Sequence, residues 1–210
     1  MDNIRKKEAK FVLKKEWIKL LLVLLLGVIL GVFSKWLDEL AINDSIWWQK
    51  VIGILDLGNF FSNLGVWLFI ALTLSIYSKN PIEASIKVFI FFLGMNVSYH
   101  LYTIYVGGFN PKYYMLGWYT LTLISPLIAY ITWYSKSSNK IVIILNSIIL
   151  FVMLKTSFSM GMWYFSFNNI LDTLVFLGVN FVIYKNLKIS GISLLIALIF
   201  AFTLRIPYLG

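Results

Sequence analysis

The run Leu20-Leu21-Leu22-Val23-Leu24-Leu25-Leu26-Gly27-Val28-Ile29-Leu30-Gly31-Val32-Phe33 contains no charge and no strong hydrogen-bonding side chain. Widened to Trp17–Leu37 it reaches the roughly 20 residues that a helix needs to cross a hydrocarbon core. Lys19 and Lys35 sit near its two ends, where long side chains snorkel to the headgroups. A basic stretch followed by an apolar run also opens a secretory leader. No small-x-small cleavage site follows this one, and the chain passes on into further apolar segments, so the reading is a retained first helix.

The rest of the chain obeys the same physics. Of 210 residues, 60% are hydrophobic and 13% charged, against roughly 45–50% apolar in an ordinary soluble domain, and the mean hydropathy is +0.84. A soluble domain of this size leaves too much surface in water to hide that much apolar area. A soluble enzyme, a disordered chain and a nucleic-acid binder are excluded. With no cysteine and one histidine, there is no thiol nucleophile, no disulfide and no His-rich metal site.

Cutting the chain at charges and turn signals gives seven spans: Trp17–Leu37, Leu57–Ser78, Ile82–Tyr105, Tyr113–Tyr134, Ile141–Leu154, Phe167–Tyr184 and Ile189–Leu204. The expected fold is all-α, a polytopic bundle in one transmembrane domain over residues 17–210, with residues 1–16 as a basic cytoplasmic tail. Basic residues test the count. With the N-terminus inside, 13 of the 18 Lys+Arg and four of the nine acidic residues fall on inner segments, so the whole net charge of +9 lies there. That distribution fits N-in, C-out under the positive-inside rule. The longest outer connection, Asp38–Asp56, holds Ser45–Leu55, which reads as a short helix capped by Ser45. Trp47 and Trp48 place it in the outer interface.

Polar groups at membrane depth are functional candidates by default. Asp56, Asn59 and Asn63 are spaced three and four apart, hence on one helical face. Asn96 and His100 form an i,i+4 pair on the third span, and Asn168 and Asp172 another on the sixth. Trp118 opens the fourth span and Arg205 ends the seventh. Convergence of these faces makes a polar, aromatic-walled ligand cavity open to the outside. The bland alternatives are helix glue for the Asn residues, interface belts for the aromatics, and an Asp172–Arg205 ion pair. Gly27 and Gly31 form a small-xxx-small seam for a partner helix, within the chain or from a second subunit. The tail Arg5–Lys15 is either a topology signal or a site for anionic lipid.

No nucleophile–base pair, HExxH, phosphate loop or GxSxG is present, and no cofactor or metal is expected. The residues Gly31-Val32-Phe33-Ser34-Lys35-Trp36-Leu37-Asp38 and Leu57-Gly58-Asn59-Phe60-Phe61-Ser62-Asn63-Leu64-Gly65 resemble the opening of a family of small multi-pass membrane proteins of Gram-positive bacteria that has no assigned function. The resemblance covers mainly the first three spans; it implies a bacterial plasma membrane and carries over no activity. The leading expectation is a small-solute binding or transport component with its site in the outer half. A non-catalytic accessory protein packed in a larger complex is the alternative, and an intramembrane enzyme using Asp172 and His100 the third.

Overall fold

Every long apolar run becomes a helix, the conformation in which a segment satisfies its own backbone hydrogen bonds. The computed structural model describes Arg5, residues 13–137 and residues 141–204, and within them nine α-helices. These are α1 (Leu13–Glu39), α2 (Trp47–Ile54), α3 (Leu57–Ser62), α4 (Leu64–Ile76), α5 (Pro81–Tyr105), α6 (Lys112–Thr132), α7 (Ile141–Ser157), α8 (Ile170–Ile183) and α9 (Leu187–Thr203). Three of them, α1, α5 and α6, are long and apolar enough to cross a membrane. The other apolar helices, α4, α7, α8 and α9, have 13 to 17 residues.

Four helices start on an asparagine. Asn63, Asn80, Asn169 and Asn186 each accept a bond from a backbone N–H in the first turn of α4, α5, α8 and α9, which satisfies one of the orphan donors there. Pro81 follows Asn80 at the first helical position, where its missing N–H costs nothing.

The tightest packing is between α1 and α5. They run parallel: a Cβ at Gly27 would overlap Phe91 O, one at Gly31 would overlap Met95 O, and one at Gly94 would come to 2.8 Å from Leu24 O. The small residues thus face a helix of the same chain, and Ser98 Oγ donates across the seam to Val28 O at 3.1 Å. The opposite face of α1 remains bare, with Leu22 60% and Ile29 63% exposed. In water such a stripe would drive association; facing hydrocarbon it is at home.

Helix α6 returns antiparallel along α5. Asn96 Nδ2 donates to Thr122 Oγ1 at 2.7 Å, and Ser85 Oγ to Pro126 O at 2.7 Å. Pro126 leaves the Thr122 carbonyl without its helical N–H, and Ser125 Oγ fills that vacancy at 2.9 Å. Helix α8 lies parallel to α4, with Gly65 near Asp172 and Gly178 near Phe69, and α7 packs on α8 and α9. The core between them is built on Trp67, Phe91, Phe92, Met153 and Val179.

The charges sort by end. At one end Lys79 pairs with Glu16 at 3.0 Å and Lys87 with Glu83 at 2.5 Å, and Lys185 Nζ donates to Ser137 O. The Glu16 carboxylate holds the Lys79 ammonium above the ordinary lysine range. Arg5 docks at this same end. Its guanidinium donates to Trp133 O at 2.9 Å and Ile76 O at 2.8 Å, over the Trp133 ring. Carbonyls at helix C-termini carry partial negative charge, so a cation belongs there. Arg5 is therefore committed to the bundle; the remaining tail residues proposed for anionic lipid lie outside the residues whose side chains are described.

Four expectations need correction. The second span, Leu57–Ser78, is not one helix: Asn63 takes an extended ψ of 143° and splits α3 from α4. The short helix expected over Ser45–Leu55 runs Trp47–Ile54, and Ser45 does not cap it; Ile46 holds the cap position with no side-chain bond, while Ser45 N–H donates to Asn43 Oδ1. The all-α reading holds for the nine helices but lacks one addition, a β-hairpin, Phe158–Gly161 against Tyr164–Phe167, antiparallel with Phe158 opposite Phe167. Finally, α8 begins at Ile170, so Asn168 and Asp172 do not share a helical face.

Candidate functional site

The end of the bundle opposite Lys79 carries the hairpin, α2 and α3. Here a cavity of about 860 Å³ opens between the starts of α4 and α6 and the end of α7. Asn63, Tyr114, Trp118, Lys155, Thr156 and Asn168 supply its polar and aromatic lining. Each arrives for a local reason. Asn63 is fixed by the break that caps α4. Tyr114 and Trp118 stand one turn apart on α6, edge to face at 6.4 Å between ring centroids. Lys155 and Thr156 close α7, where the hairpin turns back over them. Asn168 follows the second strand and accepts from Ser159 Oγ at 2.6 Å.

Lys155 is buried, 3% exposed, and its ammonium donates to Met160 O in the hairpin at 2.9 Å. No carboxylate pairs with it among the described residues. A lysine ammonium has three hydrogens, so this one keeps donor capacity at the cavity wall. Behind the wall lies Asp172, also 3% exposed. Asn63 Nδ2 donates to Asp172 Oδ1 at 3.3 Å and to Thr156 O at 2.9 Å, tying α4, α7 and α8 at one point. Asp172 lies in the first turn of α8, where the helix dipole favours an anion.

The other candidates form separate clusters. Asn96 borders a small neighbouring void of about 20 Å³ that shares Ser62, Tyr114 and Trp118 with the main cavity. Its amide N–H groups are spent on Thr122 Oγ1 and Trp118 O. His100 uses both ring nitrogens, on Tyr119 Oη at 2.9 Å and Asn110 Oδ1 at 3.0 Å, clasping α5 to α6 and the loop between them. Asp56 and Asn59 bond each other at 2.9 Å and 3.0 Å beside a third cavity of about 200 Å³ under α2. Asp56 itself takes a left-handed φ of 51° at the turn into α3, a conformation aspartate tolerates better than most residues. His100 and Asp172 thus line none of these three cavities, and the described candidates divide into four groups. Arg205 lies outside the described residues.

Sequence reasoning passed over Lys155, Thr156 and Tyr114. The available signal was a lysine directly closing an apolar run, read there as a loop charge. It also passed over Asn146, buried in α7 with neither amide atom bonded. Among the described residues no three His, Asp or Glu side chains converge to hold a metal. The sequence matches no family model, no curated protein and no solved structure.

Proposed function

We propose that this chain is a multi-pass protein of a bacterial plasma membrane that binds a small ligand in a cavity open to the outside, as a binding or transport component. The observation that carries the reading is the wall of the 860 Å³ cavity, where a buried lysine with no carboxylate partner among the described residues stands beside Asn63, Trp118 and Asn168. A mostly apolar enclosure with a few directed polar groups is how ligand sites are built. Seven crossings, N-in and C-out, accord with the segregation of Arg5, Lys79, Lys136 and Lys185 to one end and with α1 running parallel to α5. The resemblance of the first three spans to the Gram-positive membrane family belongs to the same proposal.

A ligand that binds only the folded state raises thermal stability by mass action. In a thermal-unfolding screen of the purified protein against anionic small solutes, at least one solute raises Tm, and Lys155→Gln or Trp118→Ala removes the rise. A wild-type Tm indifferent to every solute contradicts the reading. The rival, an accessory protein without a ligand, is favoured by one specific fact: the Asn96 amide N–H groups and both His100 ring nitrogens are bonded within the bundle.

A further inference from the structure

Below the polar cavity the bundle is open along one side. Helices α6 and α7 do not pack tightly on each other; α4 and α5 form the floor of a cleft between them. The cleft encloses about 340 Å³, walled by Leu72, Phe92, Leu121, Ile128, Ile149 and Val152. Two hydroxyls border it, and both are spent. Ser125 Oγ donates to Thr122 O at 2.9 Å, and Thr132 Oγ1 bonds Ala129 O and Ser75 Oγ. Chemically the cleft is hydrocarbon.

The two spaces adjoin. Leu121 lines both the apolar cleft and the polar cavity. Along α6 the wall changes from Tyr114 and Trp118 to Leu121 and then Ile128; along α7 it changes in the same direction, from Lys155 to Val152 and then Ile148. The apolar part, from Leu121 to Thr132, covers twelve residues, or roughly 16 Å of helix. One leaflet of a bilayer core is about 15 Å deep. A site with a cationic, amide-rich mouth and a dry cleft one leaflet long has the shape of a lipid.

We infer that the ligand is an anionic membrane lipid, its head against Lys155 and Asn168 and one acyl chain lying between α6 and α7. The inference rests on the ligand-binding reading above and names the ligand's class. Charge selects the head: the ammonium of Lys155 is desolvated and has a backbone carbonyl as its one described partner, so an anion supplies what burial took away. Asn168 spends its carbonyl on Ser159 and keeps its amide N–H groups for the same head. A zwitterionic head would bring a second cation to the ammonium. The chain enters sideways from the bilayer, since the cleft opens between helices and not at an end.

The test uses the full chain in nanodiscs of equal phosphatidylglycerol and phosphatidylcholine, followed by native mass spectrometry of retained lipid. Binding of glycerol 1-phosphate, the soluble head alone, is measured in parallel. The wild type retains phosphatidylglycerol at least tenfold over phosphatidylcholine, and Lys155→Gln erases that preference. Ile148→Trp fills the cleft from a position 55% exposed, and Ile128→Trp does so from the other wall at 42%. Either abolishes retention of both lipids while glycerol 1-phosphate still binds. Equal retention of the two lipids, retention unchanged by both tryptophans, or a cleft sealed by a second copy in a lipid-free dimer overturns the inference and leaves the cavity reading standing. Failure of wild type to bind either lipid or glycerol 1-phosphate overturns both.

Discussion

The α1–α5 seam and the α6–α7 cleft are two helix interfaces of one bundle with opposite physics. At the seam, Gly27, Gly31 and Gly94 bring two backbones together so closely that no side chain fits between them. In lipid, where no hydrophobic effect draws helices together, such contact and a few hydrogen bonds supply the cohesion. At the cleft, branched and aromatic side chains hold α6 and α7 apart, and the bundle is joined through α4 and α5 instead. The difference teaches that small residues mark where this protein must stay closed, and bulky apolar ones mark where it has room.

Breaking the seam has the largest expected effect. Gly31→Leu drives a side chain into Met95 O and costs about 3 kcal/mol, the upper range for overpacking; thermal unfolding in detergent reads it as a large loss of Tm. Next comes the Asn63 junction. Asn63→Ala uncaps α4 and strips Asp172 of its described donor, which costs about 2 kcal/mol for a bond to a charged group. Asp172→Asn in the same background recovers part of that loss, because a neutral amide needs no charge partner. Smaller still is Tyr119→Phe, which removes one bond to His100 and lowers stability by about 1 kcal/mol or less. At the bottom, Ile148→Trp leaves stability within about 0.5 kcal/mol, as an exposed position should, while changing what binds. A Gly31→Leu variant as stable as wild type would erase the contrast between the two interfaces.

What the sequence discloses follows the same division. The helix-forming runs, the Gly27/Gly31 seam and the short helix near Trp47 were legible because hydrophobic length and small-residue spacing are local signals. The split at Asn63 was not. The segment from Leu57 to Ser78 holds no charge and no proline to mark a break, and the interruption goes with the Asn63 bonds to Thr156 and Asp172, residues 93 and 109 positions away. The hairpin escaped for a related reason: Phe158-Ser159-Met160 alternates too briefly to stand out beside α7, and its strands are set by each other and by the rings of Phe158, Phe165 and Phe167. For the candidate site, Asn63, Trp118 and Asn168 do meet at one cavity. Asp56, Asn96 and His100 stand apart, since one-dimensional spacing gives the face of a residue on its own helix and not which helix that face meets.

The central claim is that the Lys155 cavity opens outward, away from the basic end. The natural chain has no cysteine, so single cysteines at Asn168 and at exposed Lys188 report on a silent background. With a membrane-impermeant maleimide added to intact cells, the account predicts that Asn168→Cys is labelled at once and Lys188→Cys only after permeabilisation. Labelling of Lys188→Cys from outside, with Asn168→Cys protected until the membrane is breached, would contradict it.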